Sequence, residues 1–388
     1  MALALPLRLT SATLLLAALT FIPCAQAGNW RFEPAFSQGG SWESNALMRT
    51  RNPVELYGSI TSVSLNALSQ TPTAEVSFAN TVKQNLFNEA TYNSTDFHNQ
   101  TQLLKRCTQW EALLGASGDY DTTRTSEITS LGTNTKAVRH WGLSVSPELS
   151  FIANATNKIS VSTSAAVSRY DDKVYTNYNL YAAATTWTHA FTADTSGLFA
   201  LNARRYQTQN NIDETVDSLG PNFGLNITLT PRLTTRLMAG LEASKQDRTG
   251  SPNASWEWSS VYSAALNYKG AQDTLSLGSK RAQQPYSNGT SSLLTSVYVQ
   301  ENHALSKLFS LVIGGDYARA EQSGIITTST LENKIGGKAG LVYHAFEDID
   351  VDATYRYREE SYRGTSNKAK DNAAMVTISY RPLISGAP

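Results

Sequence analysis

Cysteine is almost missing: the 388 residues hold two, Cys24 and Cys107. The first lies in an N-terminal stretch that reads as a removable export signal, so Cys107 is expected to stand alone. A disulfide framework and a cysteine-held metal cluster are thereby excluded. An excess of one charge is missing too, since Lys plus Arg and Asp plus Glu each number 32. Nucleic-acid binding, which would call for a basic patch or stripe, has no support. Beyond the leader no run is long and apolar enough for a spanning helix, and the mean hydropathy is −0.30. That argues against a helical membrane protein. It does not argue against a barrel, because half of each barrel strand faces a polar lumen. Proline is scarce at 12 residues, whereas Tyr (18), Phe (12), Trp (7) and many Thr, Ser and Val favour strands.

The leader occupies residues 1–27. Arg8 gives the positive start, residues 14–22 the apolar core, and Ala25-Gln26-Ala27 a small-x-small cleavage site. The core is shorter than the roughly 20 residues of a spanning helix. Cys24 suggests acylation as an alternative, but Phe21-Ile22-Pro23 before it is a poor match for such a site. The expected organisation is a signal peptide over 1–27 and one barrel domain over 28–388.

What is present in abundance is alternation with a period of two. Ile159, Val161, Thr163, Ala165 and Val167 share one face, with Ser160, Ser162, Ser164 and Ala166 between them. Phe223, Leu225, Ile227 and Leu229 share another, as do Leu233, Thr235, Leu237, Ala239 and Leu241 after a Thr230-Pro231 turn. Each segment therefore has an oily and a polar surface. A soluble sandwich would show the same, so the connections decide. Short turns fall near 70–72, 154–157, 193–196, 230–231, 269–272, 305–306 and 346–348. Longer polar loops fall near 38–53, 88–95, 122–137, 209–214, 246–254, 284–290, 322–328 and 361–368. Short-then-long alternation is the habit of barrels with tight periplasmic turns and larger outside loops. The expected fold is all-β, a transmembrane antiparallel up-and-down β-barrel of about 18 strands, with 16 as the runner-up because residues 96–132 are hard to parse. Aromatics near segment ends (Tyr170, Trp187, Tyr206, Trp256, Trp258, Tyr268, Tyr317, Tyr343, Tyr357 and Tyr380) suggest girdles at the two membrane interfaces.

No catalytic constellation stands out. His98, His140, His189, His303 and His344 are scattered, no HExxH spacing occurs, and no glycine-rich phosphate loop follows a strand. No cofactor or metal is expected. Asp119, Asp121, Asp171 and Asp172 near loop bases would serve a hydrolase on the rim, or merely solvate the lip. The polar faces say more. If Leu233, Leu237 and Leu241 face lipid, then Arg232, Arg236 and Glu242 face the lumen. If Val351, Ala353, Tyr355 and Tyr357 face out, then Asp350, Asp352, Thr354, Arg356 and Arg358 face in. Slipping the register by one would place several charges in lipid, at about 2 to 4 kcal/mol for each Lys or Arg at the midplane. These seven charged residues are the lumen-lining candidates; with both signs mixed, strong selectivity for one sign is not expected.

Two ends carry a resemblance. Val376, Ile378 and Tyr380 resemble the aromatic-ended closing strand by which outer-membrane barrels are recognised for assembly, although residues 382–388 follow it. Trp30-Arg31-Phe32-Glu33-Pro34, with Trp42-Glu43-Ser44-Asn45 shortly after, resembles the porin-like outer-membrane barrels associated with exopolysaccharide and exosortase (PEP-CTERM) systems. The resemblance implies the bacterial outer membrane, a role beside polysaccharide secretion and no established catalytic residues. The expected partners are outer-membrane lipid and lipopolysaccharide, the barrel-assembly machinery, and periplasmic polysaccharide-export components. The expected function is a pore for polysaccharide export or solute passage; a structural or surface-interaction barrel with a plugged lumen, and a rim hydrolase, stay open beside it.

Overall fold

The computed structural model describes residues 29–126, 137–173, 175–209, 214–248, 255–285, 291–322, 331–363 and 367–382. The expected leader and its cleavage site lie outside the described residues, as do parts of several long loops. Strands follow one another in chain order: β1 (Asn29–Glu43), β2 (Leu56–Gln70), β3 (Ala74–Phe87), β4 (Ser94–Arg106), β5 (Trp110–Thr122) and β6 (Arg139–Asn154). Next come β7 (Asn157–Tyr170), β8 (Asn177–Ala190), β9 (Thr195–Gln209), β10 (Glu214–Thr230), β11 (Leu233–Arg248) and β12 (Trp256–Lys269). The last are β13 (Asp273–Pro285), β14 (Ser291–Ala304), β15 (Phe309–Gln322), β16 (Leu331–His344), β17 (Ile349–Tyr362) and β18 (Lys368–Tyr380). Each pairs antiparallel with its sequence neighbours, and β18 returns to β1, so the 18-stranded sheet closes into a barrel. At the seam Phe36 stands opposite Tyr380 and Glu43 opposite Ala373.

The stretch that the sequence left hard to parse is a hairpin, β4 and β5, joined at residues 107–109 with Cys107 exposed in the turn. This turn and the connection at 171–176 are the two that turn residues and polarity did not reveal. A third difference lies at the start. β1 runs on to Glu43, and residues 44–55 fold inward instead of reaching out as a polar loop.

Cross-strand pairs share a face, so the pleat sorts every strand into an inner and an outer row. Ile159, Val161, Leu201, Leu219, Phe223, Leu225, Leu237 and Leu241 are all exposed on the outside. Rings meet at the short-turn end, Trp30 with Phe78 across β2, and Trp110 with Phe151 and Phe309 with Tyr343 between neighbouring strands. Trp42, Tyr57, Tyr120, Trp141, Trp256 and Trp258 are exposed toward the long-loop end. An apolar band between two aromatic rows suits a hydrocarbon layer. Tyr170 and Tyr206 do not join those rows. They continue the inner rows of β7 and β9 and are buried. Their parity assigns them there, since Tyr170 is in step with Ser160 to Ser168 and not with Val161 and Val167.

Val161 pairs with Leu149 and Thr185 on the outside, while Ser162 faces the inner cavity. Val161→Arg should lower the unfolding free energy in lipid by about 2 kcal/mol or more. Ser162→Arg should change it by less than about 1 kcal/mol, read from urea midpoints of the barrel in vesicles. Equal losses would contradict the assigned faces.

Candidate channel lumen

Midway along β6 to β9 the inner rows are made mostly of small side chains. Ser146, Ser162, Ser164, Ala182, Ala184 and Asn202 line a cavity of about 380 Å³ that extends to Glu242 and Lys280. Hydroxyls and methyls of this size leave open space beside the wall, and charged side chains bracket it. Arg204 Nη2 on β9 donates to both carboxylate oxygens of Glu242 on β11, at 2.9 and 3.1 Å, a charge-assisted contact. Its other amino group donates to the Gln283 carbonyl at 2.7 Å, although β13 is four strands away. That reach is possible because β13 parts from β12 beyond the Tyr262–Arg281 pair, so its outer end bonds only to β14. Gln283, Ser291, Ser292 and Leu293 are accordingly buried. Arg281 spans the gap, donating to the Ser260 carbonyl at 3.2 Å and meeting Glu321 at 2.8 Å.

A second inward element narrows the long-loop mouth. Residues 44–55 turn into the barrel, with Ala46, Leu47 and Met48 fully buried. Leu47 and Met48 pack on Leu331, Tyr362 and Ala369, and Ala46 on Leu56 and Phe87. Met48 and Asn52 take positive φ values of 49° and 52°, which reverse the chain inside this small space. One carboxylate holds the loop. Asp371 accepts the Asn45 backbone N–H at 2.9 Å and a bond from Ser44 Oγ at 3.4 Å. It also meets Arg356 at 3.2 Å and Arg358 at 3.4 Å. Arg356 lies 3.6 Å from Glu43, and Arg124 reaches Glu43 at 3.4 Å while its guanidinium covers the Phe87 ring. Charges removed from water need such partners, and here each carboxylate has at least two.

The sequence-derived candidates fall into three places. Arg356 and Arg358 belong to the mouth cluster. Glu242 is held by Arg204, and Arg236 stands on the same strand face, near the Met238 sulfur. Asp350 and Asp352 lie toward the short-turn end of β17, Asp350 bonded to His344 at 2.6 Å and Asp352 accepting from Thr354 at 2.7 Å. Arg232 is in the exposed turn between β10 and β11, not on a strand face. Glu43, Arg124, Arg204, Asp371 and the loop itself were not singled out. Asp371 could have been, by carrying the alternation of β18 two more steps, and Glu43 by continuing β1 past the loop start expected at residue 38; Arg124 sits in no periodic segment. Asp273, Glu301 and His303, on the outer face of β13 and β14, have ligand atoms within 4.8 Å of one another. His303 already hydrogen-bonds Asp273 there.

A family described as "Putative MetA-pathway of phenol degradation" matches residues 112–258, from β5 into β12. No curated protein matches the chain in sequence. Among solved structures the chain is similar to a BenF-like porin from Pseudomonas fluorescens Pf-5, with 9% identity, a TM-score of 0.47 and coverage of 91% of this chain and 99% of that one. It is similar to OccK2 (OpdF) from Pseudomonas aeruginosa, solved with glucuronate, at 10% identity, a TM-score of 0.46 and coverage of 91% and 98%. It is also similar to the FrpB iron transporter from Neisseria meningitidis, at 8% identity and a TM-score of 0.49. There 87% of this chain is covered, but it spans only 62% of the transporter's length.

Asp371→Asn should free residues 44–55, because the neutral amide leaves Arg356 and Arg358 short of countercharge. Tryptic cleavage after Arg49 or Arg51 should then rise at least tenfold in the folded barrel, with cleavage elsewhere unchanged. Unchanged cleavage would show that packing of Leu47 and Met48 suffices to hold the loop.

Proposed function

We propose that the protein is an outer-membrane channel for passive entry of small polar solutes. The observation that carries this reading is a polar inner wall continuous from turn end to mouth inside an apolar outer band. Such a wall holds water, and a water-filled barrel conducts. The charges on it are distributed unevenly. Arg236, Lys280 and Lys338 on β11, β13 and β16 have no carboxylate within ion-pair distance among the described residues. On the facing wall Glu75 and Glu148, on β3 and β6, have no cation within ion-pair distance among the described residues. The field this makes runs across the lumen, not along it, so it orients dipolar solutes without strongly favouring one sign of ion. The partial match to a family described for phenol degradation is in keeping with small organic solutes.

The loop at the mouth favours small solutes over an exported polysaccharide, which would need residues 44–55 moved aside. The same loop is the observation that favours a second reading, a structural barrel with a plugged lumen. Recognition of the Tyr380-ended strand by assembly machinery, and contact with lipopolysaccharide, belong to either reading.

Single-channel recording on the refolded protein distinguishes them. The channel should conduct steadily and near-ohmically with weak ion preference, and removing residues 46–53 should raise conductance about twofold or more. Replacing Arg236, Lys280 and Lys338 together by Glu should shift the reversal potential toward cation preference. A folded barrel that conducts only after the loop is removed would establish the plugged reading, and one that never conducts would end the channel reading.

A further inference from the structure

The inner wall holds one arrangement that passage of solutes does not use. Asp121 on β5, His140 on β6 and Ser168 on β7 lie on three successive strands, all buried and all facing inward. Asp121 Oδ1 is 2.9 Å from His140 Nδ1, and His140 Nε2 is 2.7 Å from Ser168 Oγ. Asp121 and His140 are direct cross-strand partners, and Ser168 is diagonal to His140. In this order a carboxylate fixes the imidazole so that its far nitrogen can accept the hydroxyl proton. The parity of the strands produced it; the sequence offered Asp121 as a loop-base acid for a hydrolase but nothing that joined it to His140 or Ser168.

We propose that Ser168 is an activated nucleophile and that this part of the wall is an acyl-transfer site for small esters. Ser168 Oγ attacks the ester carbonyl carbon while its proton passes to His140 Nε2. The ester C–O bond then breaks, and the same proton leaves on the alcohol. Water repeats the sequence on the acyl-serine, giving its proton to His140 and releasing the carboxylic acid. Asp121 is the positioning residue. Tyr170 Oη accepts from Ser168 Oγ at 3.4 Å, which sets the phenol beside the carbonyl that the serine attacks.

Room for the acyl group comes from Gly142, the direct cross-strand partner of Ser168. A Cβ there would stand 3.4 Å from His140 Cε1, so its absence leaves space beside the imidazole. Tyr170 packs on His140 at 4.9 Å and on Tyr175 at 5.3 Å, and Val138 completes an apolar rim. That surface suits a short aliphatic or aromatic acyl group. A related order, Asp350, His344 and Ser310, occurs at the short-turn end, with His344 Nε2 3.0 Å from Ser310 Oγ. There Arg381 also approaches Asp350, at 3.6 Å, and draws on the same carboxylate. Ser310 is the internal comparator.

The test is reaction of the folded wild-type protein with a fluorophosphonate, with the modified residue identified by peptide mass spectrometry. Ser168 should react at least tenfold faster than Ser310, at a rate that rises with pH as a histidine base requires. Ser168→Ala should abolish the label and the hydrolysis of p-nitrophenyl acetate. Asp121→Asn should slow labelling about 1,000-fold or more and alter its pH dependence, which loss of a merely structural bond would not do. Heat-modifiable migration checks that each variant is folded, and the wild-type result decides without them. An unmodified Ser168, or equal rates at Ser168 and Ser310, overturns the proposal; neither outcome bears on conductance.

Discussion

In hydrocarbon every unpaired backbone N–H or C=O costs several kcal/mol, because no water is there to meet it. A flat sheet always has two edges that break this condition, and closure of β1 onto β18 removes both. The rest of the molecule follows from that ring of hydrogen bonds. It keeps each strand's pleat in step with its neighbours, so oily residues are outside all the way round and polar ones inside. It also removes the need for a single apolar core: the buried apolar residues form small separate clusters beneath the mouth.

The seam and the mouth are tied together. Glu43 ends β1, Asp371 lies near the start of β18, and the same arginines, Arg356 and Arg358, stand beside them on β17. The residues that pin the inward loop therefore also brace the ladder where the barrel closes. Across the lumen the parting of β12 and β13 has a comparable consequence. Backbone groups freed there are met by side chains, Arg281 at Ser260 and Arg204 at Gln283. The outer end of β13 is thus anchored by guanidinium groups, whose several donors in one plane can meet a carboxylate and a carbonyl together, whereas the loop is anchored by a carboxylate that guanidinium groups hold in place.

Period-two alternation and the rhythm of short and long connections were enough to read an all-β barrel of about 18 strands, because both come from local chemistry: side chains alternate across a strand, and turns need particular residues. They failed where that chemistry is weak. The turn at Cys107 has neither glycine nor proline, so β4 and β5 ran together. Tyr170 and Tyr206 were grouped with the girdles by their position near strand ends, although their parity places them inside. Arg232 was assigned to a strand face that the chain had not yet entered.

By itself, then, the sequence determined the strands, the two faces of each and the outward row, since a misplaced charge on the lipid side would be costly. Tertiary structure alone decided what the inner row does. Arg204 meets Glu242, Asp371 captures the loop at Asn45, and Asp121, His140 and Ser168 come into line. These contacts join residues from different strands, and they depend on register, on the bend of β13 and on the inward turn of residues 44–55. None of those three is encoded in a short window of chain, because each is set by how 18 strands share one closed ring.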